Sequence, residues 1–230
     1  MPDTAPRRSV RSFVMRAGRV TPAQQYALAE LLPRYRVCAS ELSHDFNRRF
    51  PRRAPLYLEI GSGNGENAVA LAGRCPDIEL LASEVHPPGL GHTVLEVQRH
   101  GLANLHIFDR DVHDLLSALP PAALDVVLIF FPDPWPKKRH HKRRLVGPAL
   151  LDLLALRLKR HGRIYFATDN EDYALSVRAA VAASPAWINL AGPGNWAPRP
   201  HARYVTRFEQ RARIAGRTIY ELVFALDRLA

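Results

Sequence analysis

Leu56-Tyr57-Leu58-Glu59-Ile60-Gly61-Ser62-Gly63-Asn64-Gly65 decides the fold. A short apolar run closed by alternating glycines predicts a buried strand and a tight loop, with a helix from Glu66 to about Gly73. Strand, glycine loop and helix open a doubly wound α/β sheet that binds a nucleotide at its carboxyl edge. Glycine tolerates positive φ and lets a ligand approach the backbone. No Walker lysine follows, and Glu59 at the strand's end would repel phosphate. The third glycine comes one residue too early for the GxGxxG of a nicotinamide oxidoreductase.

The following strands repeat the pattern. Glu79 to Ser83 ends on Glu84, and Leu105 to Phe108 leads to Asp111. Asp125 to Phe131 leads to Asp133, and Arg163 to Thr168 ends on Asp169. In an open α/β sheet Glu59, Glu84, Asp111 and Asp133 face one crevice, and Asp169 closes the next strand as a fifth acid. Each alone reads as a helix cap or turn acid; in register they read as a site. Glu84 is placed for ribose hydroxyls and Asp111 for an adenine edge. An acid-lined crevice without a phosphate lysine suits a cofactor carrying an ammonium and an adenosine, which describes S-adenosylmethionine. Gly61, Gly63 and Gly65 would form its loop.

Phe130-Phe131-Pro132-Asp133-Pro134-Trp135-Pro136 is too rich in proline to continue as strand or helix. Lys137-Lys138-Arg139-His140-His141-Lys142-Arg143-Arg144 follows at once. An acid, an indole and a dense positive run at one strand end fit a nucleobase within a nucleic acid. Trp135 stacks on that base or walls its pocket. A leucine-rich stretch predicts a helix over Arg144 to Lys159, stopped by Gly162. Residues 193–200 read as a loop that clamps RNA or covers the sheet edge, and Thr218 to Leu226 as an antiparallel edge strand. At the other end, Thr21 caps a helix over Ala23 to Leu32.

The charge balance agrees. Lys and Arg number 32 against 22 Asp and Glu, for a net charge of +10. That excess favours a polyanion. Residues 1–21 carry Arg7, Arg8, Arg11, Arg16 and Arg19 against Asp3 alone, and read as a flexible basic arm. Residues 22–230 read as a single domain. Cys38 and Cys75 form no CxxC or Cys/His cluster, so a reducing compartment and no metal are expected. No apolar run reaches the roughly 20 residues of a membrane span. The expected setting is cytoplasmic, with no obligatory protein partner, as monomer or homodimer.

The chain resembles the bacterial tRNA (guanine-N7-)-methyltransferase family of the TrmB type. The resemblance is carried by Arg11-Ser12-Phe13-Val14, Gly18-Arg19 and Gln24-Gln25, by Leu58 to Gly65, and by Glu84-Val85-His86-x-Pro88-Gly89. It continues through Phe130 to Arg144, Ala167-Thr168-Asp169, Pro198-Arg199-Pro200 and Thr206-x-Phe208-Glu209-Gln210-Arg211 to Gly216. Ser62 and Gly147 depart from the usual pattern. The resemblance implies a class I methyltransferase, Rossmann-like, with six parallel strands and one antiparallel. It implies S-adenosylmethionine contacts at Glu59, Glu84, Asp111 and Asp133, and Asp133 as the active-site acid. It further implies substrate contacts at Lys137, Asp169, Thr206, Arg207, Phe208 and Glu209. RNA contacts would fall at Arg139, His140, His141, Lys142, Arg143 and Arg144, with the variable-loop guanine of tRNA as target. An amino-methyltransferase is the nearest alternative, but it places a second proline before the aromatic, where Trp135 directly follows Pro134. A binding module that keeps this fold without catalysis is another; the intact set of acids speaks against it.

Overall fold

The computed structural model describes residues 18–50, 54–201 and 203–226. The basic arm expected over residues 1–21 therefore lies, up to residue 17, outside the described residues. Thr21 opens the first helix with a capping box: its hydroxyl accepts from the Gln24 amide, and Gln24 Oε1 accepts from the Thr21 amide at 2.9 Å. That helix runs further than the sequence predicts. It passes from α1 (Pro22–Tyr26) through a π turn (Ala27–Leu31) into α2 (Leu32–Tyr35). The wider π turn falls just before Pro33, which cannot donate, so the helix continues past the proline. Two short helices follow, α3 (Ala39–His44) and α4 (Phe46–Arg49).

The sheet then builds in order: β1 (Leu56–Ile60), α5 (Glu66–Arg74), β2 (Glu79–Ser83), α6 (Pro87–His100), β3 (Leu105–Phe108), α7 (Val112–Ala118) and β4 (Leu124–Phe130). A 3-10 helix (Lys138–Arg143) precedes α8 (Pro148–Arg157), β5 (Leu158–Thr168), α9 (Glu171–Ala183), β6 (Trp187–Asn189), α10 (Arg207–Ile214) and β7 (Tyr220–Leu226). The seven strands lie in the order β3-β2-β1-β4-β5-β7-β6, and β7 alone runs against the rest. The expected seven-stranded, mostly parallel Rossmann-like sheet is the one that forms. The chain steps outward from β1 to β3, then returns to place β4 on the other side of β1. That reversal is the switch point where such sheets bind ligands.

Both faces of the sheet are covered, so its strands are buried on both sides. Leu58, Ile60, Val127, Ile129, Ile164 and Phe166 pack one face with α7, α8 and α9. Leu80, Ala82 and Leu128 pack the other, with Ala68 and Leu71 of α5.

Three expectations fail. The helix predicted from Arg144 to Lys159 begins only at Pro148, because the preceding residues form the 3-10 helix and Pro148 suits a first helical position. It ends at Arg157: Leu158 turns extended, is fully buried and pairs with Leu124 of β4. Gly162 therefore does not stop a helix. It sits inside β5, where an added Cβ would lie 2.6 Å from Leu158 Cδ2. Lastly, β7 is not at the edge. The three-residue β6 covers it, too short a strand to show a period in the sequence.

Candidate active site

A cleft of about 560 Å³ opens at the carboxyl ends of β1, β2 and β4. Gly61, Glu84, Asp111, Asp133 and Trp135 are among the residues that line it. The volume is within the usual range for a small-molecule site. Gly61 and Gly63 adopt φ of 73° and 56°, and a Cβ on either would meet nothing within 4 Å. The loop thus turns bare backbone toward open space. Gly65 differs: it caps α5 and touches Thr93, so it serves packing.

Glu84 organises this end of the cleft. Its Oε2 accepts from the Gly63 amide at 2.7 Å, and its Oε1 accepts from the amides of Val85 and His86 at 2.7 and 2.9 Å. One carboxylate ties the glycine loop to the start of α6. Asp111 caps α7 through the His113 amide at 2.9 Å and contacts His113 Nδ1 at 2.8 Å. Its hydrogen bond raises the His113 pKa against a smaller desolvation effect.

Glu59 does not line the cleft. It is 3% exposed and accepts from Asn67 Nδ2 at 3.0 Å. Burial pushes its pKa up to about 7; the Asn67 bond opposes this and the nearby Glu84 charge adds to it. In the ligand-free protein the raised pKa means that the fold favours the protonated form. Glu59 then detracts from stability as pH rises from its ordinary value, 4.5, to about 7. A cation held close to Glu59 would reverse the preference. Cofactor affinity should therefore fall as pH drops below about 7, approaching tenfold per pH unit, and level off above it. Calorimetric titration across pH checks this; Glu59→Gln should flatten the profile, and an equally steep profile in that variant would refute the assignment.

Asp133 is exposed at the cleft wall. The residues two before and two after it, Phe131 and Trp135, hold φ of 51° and 44°. Left-handed aromatics are strained, and strain of this kind persists only where the surroundings over-determine it. They do so here. The Phe131 amide donates to Ala167 O at 2.8 Å. Arg144 Nε donates to Pro134 O at 2.9 Å. The Arg203 guanidinium lies 5.2 and 5.5 Å from the ring centres of Phe130 and Phe131. Phe208 packs on Phe131 with ring centres 5.0 Å apart. The turn is a rigid mount for one carboxylate.

The remaining expected residues divide. Lys137, Arg139 and Lys142 are exposed. Arg143 lies over the Trp135 ring at 4.9 Å, and His140 meets its edge at 5.8 Å. Partial desolvation, then the cations Arg139, Arg143, Lys137 and Lys142, hold His140 below the ordinary histidine range. His141 lies 3.6 Å from Asp172. Thr206 caps α10, and Arg207 and Phe208 are exposed on its first turn. Asp169 is absent from the cleft lining. Its Oδ2 forms an ion pair with Arg217 Nη1 at 2.6 Å.

Two expected contacts are corrected. The Arg144 side chain is 5% exposed and is taken up by Pro134 O, Ser176 and Asp172, so it braces the turn instead of facing RNA. Glu209 is 0% exposed, with its carboxylate held by Arg199, Arg203 and Arg213, and cannot reach a substrate directly. In both cases an internal partner from elsewhere in the chain has claimed the charge. Sequence reasoning also missed Asn67, Arg203 and Arg217. Asn67 directly follows the glycine loop and Glu66, the one signal that marked it.

Residues 53–222 match the family described as "Putative methyltransferase". The tRNA (guanine-N(7)-)-methyltransferase of Methylococcus capsulatus is 44% identical over 95% of both chains. That of Nitrosospira multiformis is 43% identical over 97% of both. That of Pseudomonas aeruginosa is 40% identical over 96% of this chain and 91% of its own. Among solved structures, the 16S rRNA methyltransferase KamB superposes with a TM-score of 0.58 at 13% identity, covering 79% of this chain and 92% of its own. The aminoglycoside resistance methyltransferase NpmB1 gives 0.56 at 15% identity, covering 80% and 93%. These two likenesses concern the fold alone.

Proposed function

This chain belongs to the bacterial tRNA (guanine-N(7)-)-methyltransferase family, as a relative 44% identical over 95% of both chains shows, and we propose the residue roles that follow from it. It is an S-adenosylmethionine-dependent tRNA methyltransferase. The residues of the cleft fit that cofactor: an open glycine backbone, three lining carboxylates and a volume of about 560 Å³. When bound, S-adenosylmethionine supplies a methyl group on a cationic sulfonium. Glu84 and Asp111 line the wall where ribose and adenine would lie, and Glu59 supplies negative charge from beneath the loop.

The target is the variable-loop guanine. Guanine N7 carries an in-plane lone pair and no proton, so no general base is required. What the chain must supply is placement and electrostatics. The observation that carries this reading is Asp133, an exposed carboxylate on a rigid, strained turn at the cleft wall. Its charge would offset the positive charge that develops on the purine. Guanine also presents N1–H and N2–H₂ donors, which Asp133 accepts. Phe208 and Trp135 offer faces for stacking. Methyl transfer to bulk tRNA, followed by nuclease digestion to oligonucleotides that are mapped by mass, tests the assignment. Methylated guanosine is expected from the variable loop; methyl label on another base would overturn it.

Arg139, Lys142 and Arg143 are proposed to neutralise phosphates, not to read bases. Replacing Arg139 and Lys142 by Ala should weaken every tRNA alike. It should make the slope of log affinity against log salt shallower by about 1.4–1.8 if both contact phosphate. Filter binding at several salt concentrations checks this, and an unchanged slope would remove both residues from the interface. Among the described residues no helix is long and apolar enough to cross a membrane.

A further inference from the structure

Two neighbouring residues at the start of α5 hold the far end of the active site. Asn67 is 3% exposed and lies between two partners from opposite sides of the site. Its Nδ2 donates to Glu59 at 3.0 Å, and its Oδ1 accepts from the Tyr204 amide at 3.0 Å. One partner is an acceptor and the other a donor, so only one orientation of the amide satisfies both. Beside it, Glu66 Oε2 accepts from the Arg207 amide at 2.6 Å, and Glu66 Oε1 lies 3.5 Å from Arg207 Nε. The first turn of the helix that follows the cofactor loop therefore clamps residues 204 and 207. These bracket Thr206, the cap of α10, and stand next to Phe208, which packs on the Asp133 turn.

We propose that Asn67, assisted by Glu66, is a positioning residue that couples cofactor binding beneath the glycine loop to the placement of the substrate-facing segment 204–208. The proposal rests on the reading that Arg207 and Phe208 face RNA. A cofactor ammonium favours ionised Glu59. An ionised carboxylate is the stronger acceptor for Asn67 Nδ2, which fixes Oδ1 toward the Tyr204 amide. Segment 204–208 is then held in one place before RNA arrives. Because coupling is reciprocal, bound tRNA must tighten the cofactor by the same factor.

S-Adenosylhomocysteine keeps the ammonium and adenosine but has no methyl to give, so binding is read without turnover. With the full chain, tRNA affinity is measured in its absence and at saturation. The unaltered protein should bind tRNA about 5-fold or more tightly when the ligand is present, the lower end of typical coupling. Asn67→Ala should bring that ratio close to one. It should also move the pH midpoint of ligand binding upward, because the bond that lowers the Glu59 pKa is lost. Glu66→Ala alters only a rim residue that does not touch Glu59. It should keep the parent affinity for S-adenosylhomocysteine and reduce the ratio part-way, which keeps the test decisive if Asn67→Ala folds poorly. A parent ratio of one, or a parent-like ratio in Glu66→Ala, overturns the coupling. Phe208→Ala separates the underlying reading: unchanged tRNA affinity and KM in that variant would show that segment 204–208 does not face RNA.

Discussion

Asp133→Asn should slow turnover by roughly 10²–10³-fold at saturating tRNA and cofactor, the scale of losing one preorganised electrostatic partner. The substitution keeps the shape and removes the charge. The turn that carries it should survive, because the left-handed Phe131 and Trp135 are fixed by Ala167, Arg144, Arg203 and Phe208, none of which touches the carboxylate. Affinity for tRNA should barely change, since phosphate contacts dominate it. The signature is a loss in kcat at nearly constant KM, marking an interaction made in the transition state. Near-normal turnover would remove Asp133 from the chemistry. A raised KM with unchanged kcat would make it a guanine-binding group only.

Glu209→Ala should be the most destabilising single change at the site. Arg203, with a side chain only 2% exposed, bonds both Glu209 and Glu221, while Arg199 and Arg213 complete the shell around Glu209. Burial raises the Glu221 pKa even beside Arg203, so this cluster is already under electrostatic load. Removing one partner of a buried pair costs about 3–5 kcal/mol, because it leaves the other charge unpaired. For a chain of this size each kcal/mol lowers Tm by roughly 2–4 °C. Thermal unfolding should therefore show a loss of roughly 6–20 °C. Arg213→Ala, at a half-exposed side chain, should shift Tm far less. Equal small shifts in both variants would mean that the cluster is solvated and does not hold α10 against the Asp133 turn.

These two residues also show what the sequence made legible. Glu84, Asp111 and Asp133 could be placed at the cleft because each follows its own strand, and a parallel sheet brings strand ends together whatever the loops do; Glu59 lies buried beneath the loop instead. Glu209 and Arg144 differ from their sequence reading for the opposite reason. Each is charged, lies in a segment that resembles a substrate-contacting one, and is claimed by partners that only the folded chain brings near. Arg144 reaches Asp172 and Ser176 of α9, and Glu209 meets Arg199 and Arg203 across the bend before α10. No local pattern reports such pairing. The same holds for Asn67, whose partner Tyr204 is 137 residues away, and for β6, whose three residues carry no period. The leucines of residues 150–158 misled differently: helix and buried strand both call for leucine, and only the pairing of Leu158 with Leu124 separates them.

Methyl transfer to a ring nitrogen needs no general base and leaves a positive purine. Methylation of an exocyclic amine adds the same mass, so mass alone does not separate the two. Only the cationic N7-methylated ring is opened by borohydride reduction and then cut by aniline. End-labelled tRNA, treated this way after reaction with the enzyme and S-adenosylmethionine, should break at the variable-loop guanine and nowhere else in an enzyme-dependent manner. Full methyl incorporation with no new break would mean that the methyl group goes to a position other than guanine N7, such as an exocyclic amine.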